Sequence, residues 1–196
     1  MCEGEKAELS GRKGLVYMKE DIKYSYPPNY DHRDEPALWQ NPWEYNRLLD
    51  LLYTKHIKNI LEIGVGYGLS KEVMNRSGIT WVGIDITIPT LIPPEYMILG
   101  ASYEERVIKR AESRGPYDVV LIDANHSYNS VSIDFFNYNH MATRMIVLHD
   151  ISTNQSPPFR TDKGVKKFWN EIKGKYNHLE IVAREPENYG IGVIFK

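Results

Sequence analysis

The chain predicts an α/β fold: a doubly wound, mostly parallel seven-stranded sheet, helices on both faces, and an antiparallel hairpin at the end. Three observations carry this. Strand-like apolar runs alternate with segments of helical spacing, an order that gives parallel strands joined by crossover helices. The first strand runs into the glycine turn Gly64-Val65-Gly66-Tyr67-Gly68, and Leu69 to Met74 behind it can form a helix. Two last apolar runs flank residues 185–190, a connection short enough for a hairpin.

Taken in order, residues 1–35 are polar and aperiodic. They are read as an N-terminal arm ahead of a domain at 36–196, either a flexible leader or, through Tyr24-Ser25-Tyr26-Pro27-Pro28-Asn29-Tyr30, a lid over a pocket. Asn41-Pro42-Trp43-Glu44 reads as a helix start, with Asn41 the cap, Pro42 the first helical residue and Glu44 returning to the cap amide. Leu48, Leu49, Leu51 and Leu52 give that helix its apolar face, and Trp39 and Trp43 read as core. Strands are expected at 59–63, 80–85 and 96–100, then a helix over 102–114 stopped by Gly115-Pro116. A strand at 117–123, a helix within 129–141 and a strand at 145–150 follow. Val165, Phe168, Trp169 and Ile172 recur at helical spacing and predict a helix over 162–176. The closing strands are 179–183 and 192–195. Between the second and third strands, Pro89, Pro93 and Pro94 oppose the usual covering helix. The arm is the expected cover for that patch, with a second subunit of a homodimer as the alternative.

Composition narrows the function classes. The 196 residues are 42% apolar with a net charge of −2, which suits one globular domain and offers no global basic field to recruit nucleic acid. Cys2 is the single cysteine, so no internal disulfide forms. No apolar run reaches the roughly 18 residues of a membrane span. A cytoplasmic protein with no membrane partner is the expectation.

The glycine turn carries the most chemistry. Positive-φ glycines let a ligand approach the backbone, and Asp85, ending the next strand, suits the two hydroxyls of a ribose. A dinucleotide site wants G-x-G-x-x-G around a pyrophosphate. Here the spacing is G-x-G-x-G and Glu62 precedes it. A carboxylate repels a pyrophosphate but favours a methionine ammonium. These residues resemble motif I, and Asp85 motif II, of the class I S-adenosylmethionine-dependent methyltransferases. The resemblance implies a cofactor site at Glu62, Gly64, Gly66, Gly68, Asp85, Ser102 and Asp123. Ser102 alone would read as a helix cap.

A second constellation sits at two strand ends. One strand finishes Ile122-Asp123-Ala124-Asn125-His126-Ser127-Tyr128, the other Val147-Leu148-His149-Asp150. Neighbouring strands would bring these over one crevice. Such groups suit methylation of a hydroxyl: a dication eases loss of the hydroxyl proton and aligns the oxygen, and a neutral imidazole takes the proton. The pattern resembles the metal-dependent sugar and macrolide O-methyltransferases and the cephalosporin-hydroxylase-like group. It implies Asp123 and Asp150 as ligands of a divalent metal, magnesium or manganese, His126 as general base with Asp123 beside it, and a small-molecule hydroxyl acceptor. His149, where relatives often carry a carboxylate, joins the metal set and favours an imidazole-tolerant ion such as manganese. Two alternatives stand: a nucleic-acid or protein methyltransferase, and a catalytically inactive cofactor-binding module. Ser156-Pro157-Pro158-Phe159 lacks the amide or acid of the DNA amino-methylating motif and falls after the wrong strand.

Overall fold

The computed structural model describes residues 41–66, 68, 70, 78–89, 92–152, 164–184 and 189–196. The arm at 1–35, most of the helix expected after the glycine turn, and residues 185–188 of the hairpin turn lie outside the described residues, as do Trp39 and residues 153–163.

The first helix, α1 (Pro42–Thr54), begins as its residues dictate: the Asn41 side chain accepts the amides of Trp43 and Glu44 at 2.9 and 3.2 Å. Its buried face is Tyr45, Leu48 and Leu52, with Trp43, Leu49 and Leu51 half-buried against the same layer. Glu44, expected to return to the cap amide, has other partners. It is fully buried, and its carboxylate accepts the amides of Ala183, Tyr189 and Gly190.

The chain continues through β1 (Asn59–Ile63), β2 (Thr80–Asp85), β3 (Met97–Leu99), α2 (Glu105–Glu112), β4 (Tyr117–Ile122), α3 (Tyr128–Tyr138), β5 (Ala142–His149), α4 (Gly164–Ile172), β6 (Asn177–Ile181) and β7 (Ile191–Phe195). One sheet runs β3-β2-β1-β4-β5-β7-β6. The first five strands pair in parallel, and β7 lies antiparallel between β5 and β6. This is the seven-stranded α/β sheet the sequence predicts.

Element bounds shift where side chains compete with the backbone. The helix expected from Ser102 starts at Glu105, because residues 101–104 close a turn: Glu104 N–H donates to the Ala101 carbonyl and Ala101 N–H to the Glu104 carboxylate, both at 3.0 Å. Tyr96 ends a 3-10 turn (Pro94–Tyr96) instead of opening β3. Among the described residues that turn is the only helical piece between β2 and β3, and Ile86, Ile88, Tyr96 and Leu99 stay exposed there. Strand β5 stops at His149, since Asp150 takes a left-handed backbone (φ +66).

Apolar layers cover both faces of the sheet. One packs Val107, Phe135, Phe168 and Trp169 from α2, α3 and α4, and the other packs Tyr45, Leu48 and Leu52 of α1 against Trp81 and Ile60. Among the described residues no helix is long and apolar enough to cross a membrane.

Candidate active site

Parallel strands end on one edge, and the order of the sheet reverses between β1 and β4, which is where open α/β sheets bind ligands. A cavity of about 460 Å3 opens there, lined by Gly64, Gly66, Asp85, Ser102, Asp123 and Asp134. That volume is within the roughly 300–1,000 Å3 of small-ligand sites. Ile84, Ile86, Ile133 and Tyr103 make its apolar wall.

The turn after β1 is built for close approach. Gly64, Gly66 and Gly68 have φ of +86, +55 and +82. A Cβ on Gly64 would lie 2.4 Å from the Ala124 Cα and the Asp123 carbonyl, so only glycine lets the β1 and β4 ends meet. At Gly66 a Cβ would meet nothing within 4 Å. That backbone faces open space, a cradle for a ligand. Gly68 packs against Ile92, outside the cavity lining.

Asp85 stands at the end of β2. One carboxylate oxygen accepts the Val65 and Gly66 amides at 2.8 and 3.1 Å, and the other accepts the Thr87 amide at 3.1 Å and hydroxyl at 3.3 Å. The expected ribose acceptor is thus also the clamp of the glycine turn. Glu62 departs from its expected place. Strand alternation sends its side chain to the α1 face, where it accepts hydrogen bonds from Ser70 Oγ and Trp81 Nε1, both at 2.5 Å, and it does not line the cavity. Burial pushes its carboxyl up to about 8, with hydrogen bonds from Ser70 and Trp81 pulling the other way. Its hydrogen bonds are spent on the protein, at the base of the glycine turn.

Asp134 was missed by the motif reading. It is 2% exposed, lines the cavity, and hydrogen-bonds the Ser102 side chain, while burial raises its carboxyl. The Ser102 carbonyl accepts Tyr138 Oη at 2.7 Å, which ties this loop to α3. A signal was there to read: Val131, Asp134, Phe135 and Tyr138 are the buried positions of α3, an apolar stripe holding one carboxylate.

The second constellation does converge. His126 Nε2 lies 2.7 Å from Asp150 Oδ2 and 3.4 Å from Asp123 Oδ1, and His149 Nδ1 lies 3.0 Å from Asp123 Oδ1. One donor atom from each of Asp123, His126 and Asp150 falls within 4.8 Å of the others, the spacing of a cation site. The sequence reading gives Asp123, His149 and Asp150 to the metal and has His126, as base, facing the same space. His126, one turn beyond Asp123, faces the same space through its Nε2. His149 lies beneath, buried, with its ring 5.7 Å from that of Tyr189 at an interplanar angle of 29°. Among the described residues its Nε2 has no hydrogen-bond partner.

Burial opposes charge at every member, and the mutual contacts win. Hydrogen bonds to Asp123 and Asp150 and their charges push His126 up to about 9, and the same carboxylates hold His149 well above its ordinary value. The charge of His149 and hydrogen bonds from both imidazoles hold Asp123 and Asp150 below the carboxylate range. Two carboxylates thus face two imidazoles whose charged form they favour. A dication balances the same pair, so the oxygen and nitrogen donors fit manganese, iron or zinc, and magnesium less well.

No family model and no curated protein matches the chain. Solved structures do match. TomG from Streptomyces achromogenes, an O-methyltransferase involved in tomaymycin synthesis and solved with S-adenosylmethionine, gives a TM-score of 0.60 at 16% identity, over 84% of this chain and 85% of its own. An O-methyltransferase from Bacillus cereus in complex with S-adenosylhomocysteine gives 0.56 at 17%, over 82% and 84%. MycE of the mycinamycin pathway, solved with magnesium, S-adenosylhomocysteine and mycinamycin VI, gives 0.52 at 18%, over 76% of this chain and 47% of MycE. This chain spans about half the length of MycE. At these identities the likenesses speak to fold.

Proposed function

We propose that this chain, which has the fold of the S-adenosylmethionine-dependent O-methyltransferases, is an S-adenosylmethionine-dependent enzyme that methylates a hydroxyl of a small molecule with a divalent metal. The observation that carries the reading is Asp123, which lines the nucleoside-sized cavity and belongs to the Asp123/His126/Asp150 cluster. A cofactor in the one lies beside an acceptor held at the other.

When bound, S-adenosylmethionine offers an electrophilic methyl group, and a divalent ion held by Asp123 and Asp150 lowers the cost of removing a hydroxyl proton. The chain's residues do the rest. Asp85 accepts the ribose hydroxyls. Asp134, anchored through Ser102, reads the donor edge of the base. Ile86, Ile133 and Tyr103 exclude water from its faces. His126, at 28% side-chain exposure the most open member of the cluster, stays off the metal and takes the proton once the carboxylates are otherwise balanced. The acids at the cavity mouth disfavour a nucleic-acid phosphate backbone as partner.

Calorimetric titration tests the reading. S-adenosylhomocysteine binds and NAD does not, and Asp85→Ala weakens the nucleoside about 10-fold or more, the loss of charge-assisted hydrogen bonds. His126→Ala lowers turnover about 100-fold with S-adenosylhomocysteine affinity unchanged. Preference for NAD sinks the proposal. Binding of S-adenosylhomocysteine without turnover on any hydroxyl acceptor favours the inactive-module reading.

A further inference from the structure

Asp150 holds its carboxylate in the cluster from a left-handed backbone, φ +66, which non-glycine residues rarely keep unless their surroundings enforce it. The enforcing contacts are visible. Just past Asp150, Ile151 N–H donates to the Gly190 carbonyl at 3.1 Å and Ser152 N–H to the Tyr189 carbonyl at 2.8 Å. Tyr189 also stacks on the His149 ring. Gly190, φ +76, fits tightly, since a Cβ there would lie 2.6 Å from the Ser152 Cβ.

Tyr189 and Gly190 are in turn fixed from α1. The Tyr189 and Gly190 amides donate to one oxygen of Glu44 at 3.3 and 2.9 Å, and the Ala183 amide donates to the other at 2.8 Å. Glu44 sits in the first turn of α1 with no exposed surface. A buried carboxylate is a costly way to fill space, so its use here reflects the three amides it orients.

We propose that Glu44 is a positioning residue for the metal cluster: through Tyr189 and Gly190 it sets the left-handed turn at Asp150 and the ring of His149, and with them the aim of the cluster's donors. The inference rests on the metal reading above. It makes α1, which supplies no residue to the cavity lining or the ionic cluster, part of the metal-binding apparatus.

Manganese titration of the full chain, followed by the paramagnetic signal of free Mn2+, tests this alongside calorimetry with S-adenosylhomocysteine in metal-free buffer. Glu44→Gln keeps the shape but turns an amide NH2 toward backbone donors. It weakens Mn2+ at least about 10-fold, as loss of outer-shell partners does, while nucleoside affinity is unchanged. Leu48→Ala, which unpacks the same helix away from Glu44, leaves Mn2+ affinity at the wild-type value. Gly190→Ala, which crowds Ser152 without altering Glu44, reproduces the metal defect and serves if Glu44→Gln does not fold. Wild-type Mn2+ affinity in Glu44→Gln, or an equal loss in Leu48→Ala, overturns the inference alone. A wild-type protein that binds no Mn2+ overturns the metal reading and this inference together.

Discussion

Glu62 sits between Trp81 Nε1 and Ser70 Oγ on the α1 face of β1, and burial raises its carboxyl from 4.5 to about 8. The native state therefore holds a proton there that the unfolded chain releases above its ordinary value. Stability from this group is present at the acid end of the 4.5-to-8 window and is lost as pH rises through it, by up to about 1.4 kcal/mol per unit. Glu62→Gln keeps both hydrogen bonds and cannot ionise. Urea unfolding at pH 5.5 and 8 should find the variant gaining roughly 2–3 kcal/mol on the wild type between the two. Equal slopes would sink the assignment. At this scale the sequence was partly legible. Asp85, Gly64 and Gly66 stand where the spacing put them, because a strand end and its turn are local features. The partners of Glu62, Ser70 and Trp81, were not legible because a motif read as a string ignores strand alternation. Asp134 was overlooked because its partner, Ser102, is distant in sequence.

Among elements, the turn joining β1 to the segment after it is the least tolerant of change. Gly64→Ala meets both the positive φ and the Ala124 and Asp123 backbone at 2.4 Å. The backbone conformation alone costs about 1–3 kcal/mol, and the clash adds to it. The expected outcome is a lower urea midpoint together with lost S-adenosylhomocysteine binding, whereas a merely decorative turn would keep both. The strands and helices were legible because their periodicities differ and because caps such as Asn41 act within four residues. The start of α2 was not, since Glu104 folds its own side chain onto Ala101 and delays the helix. The connection between β2 and β3 was read correctly from its prolines: within the described residues it holds a single 3-10 turn.

On the scale of the whole molecule, the sheet order places β1, β2 and β4 around the cavity and sets β5 beside β4, so that Asp123 and Asp150 face one space. Neighbouring strands sufficed to expect that meeting. The stacking of Tyr189 on His149 and the Glu44 contacts behind it were not legible, because those residues lie tens of residues away along the chain. Asp123 borders two spaces, the cavity and the ionic cluster. Occupancy of either must alter the field felt in the other, and thermodynamic reciprocity makes the effect symmetrical. Whatever factor Mn2+ applies to the dissociation constant of S-adenosylhomocysteine, the nucleoside must apply to that of Mn2+. A factor of one in both orders of addition would mean the shared carboxylate passes no message, and the two ligands would then arrive as strangers. A common factor that tightens both ligands well beyond one makes loading a concerted event, in which half-filled states are rare.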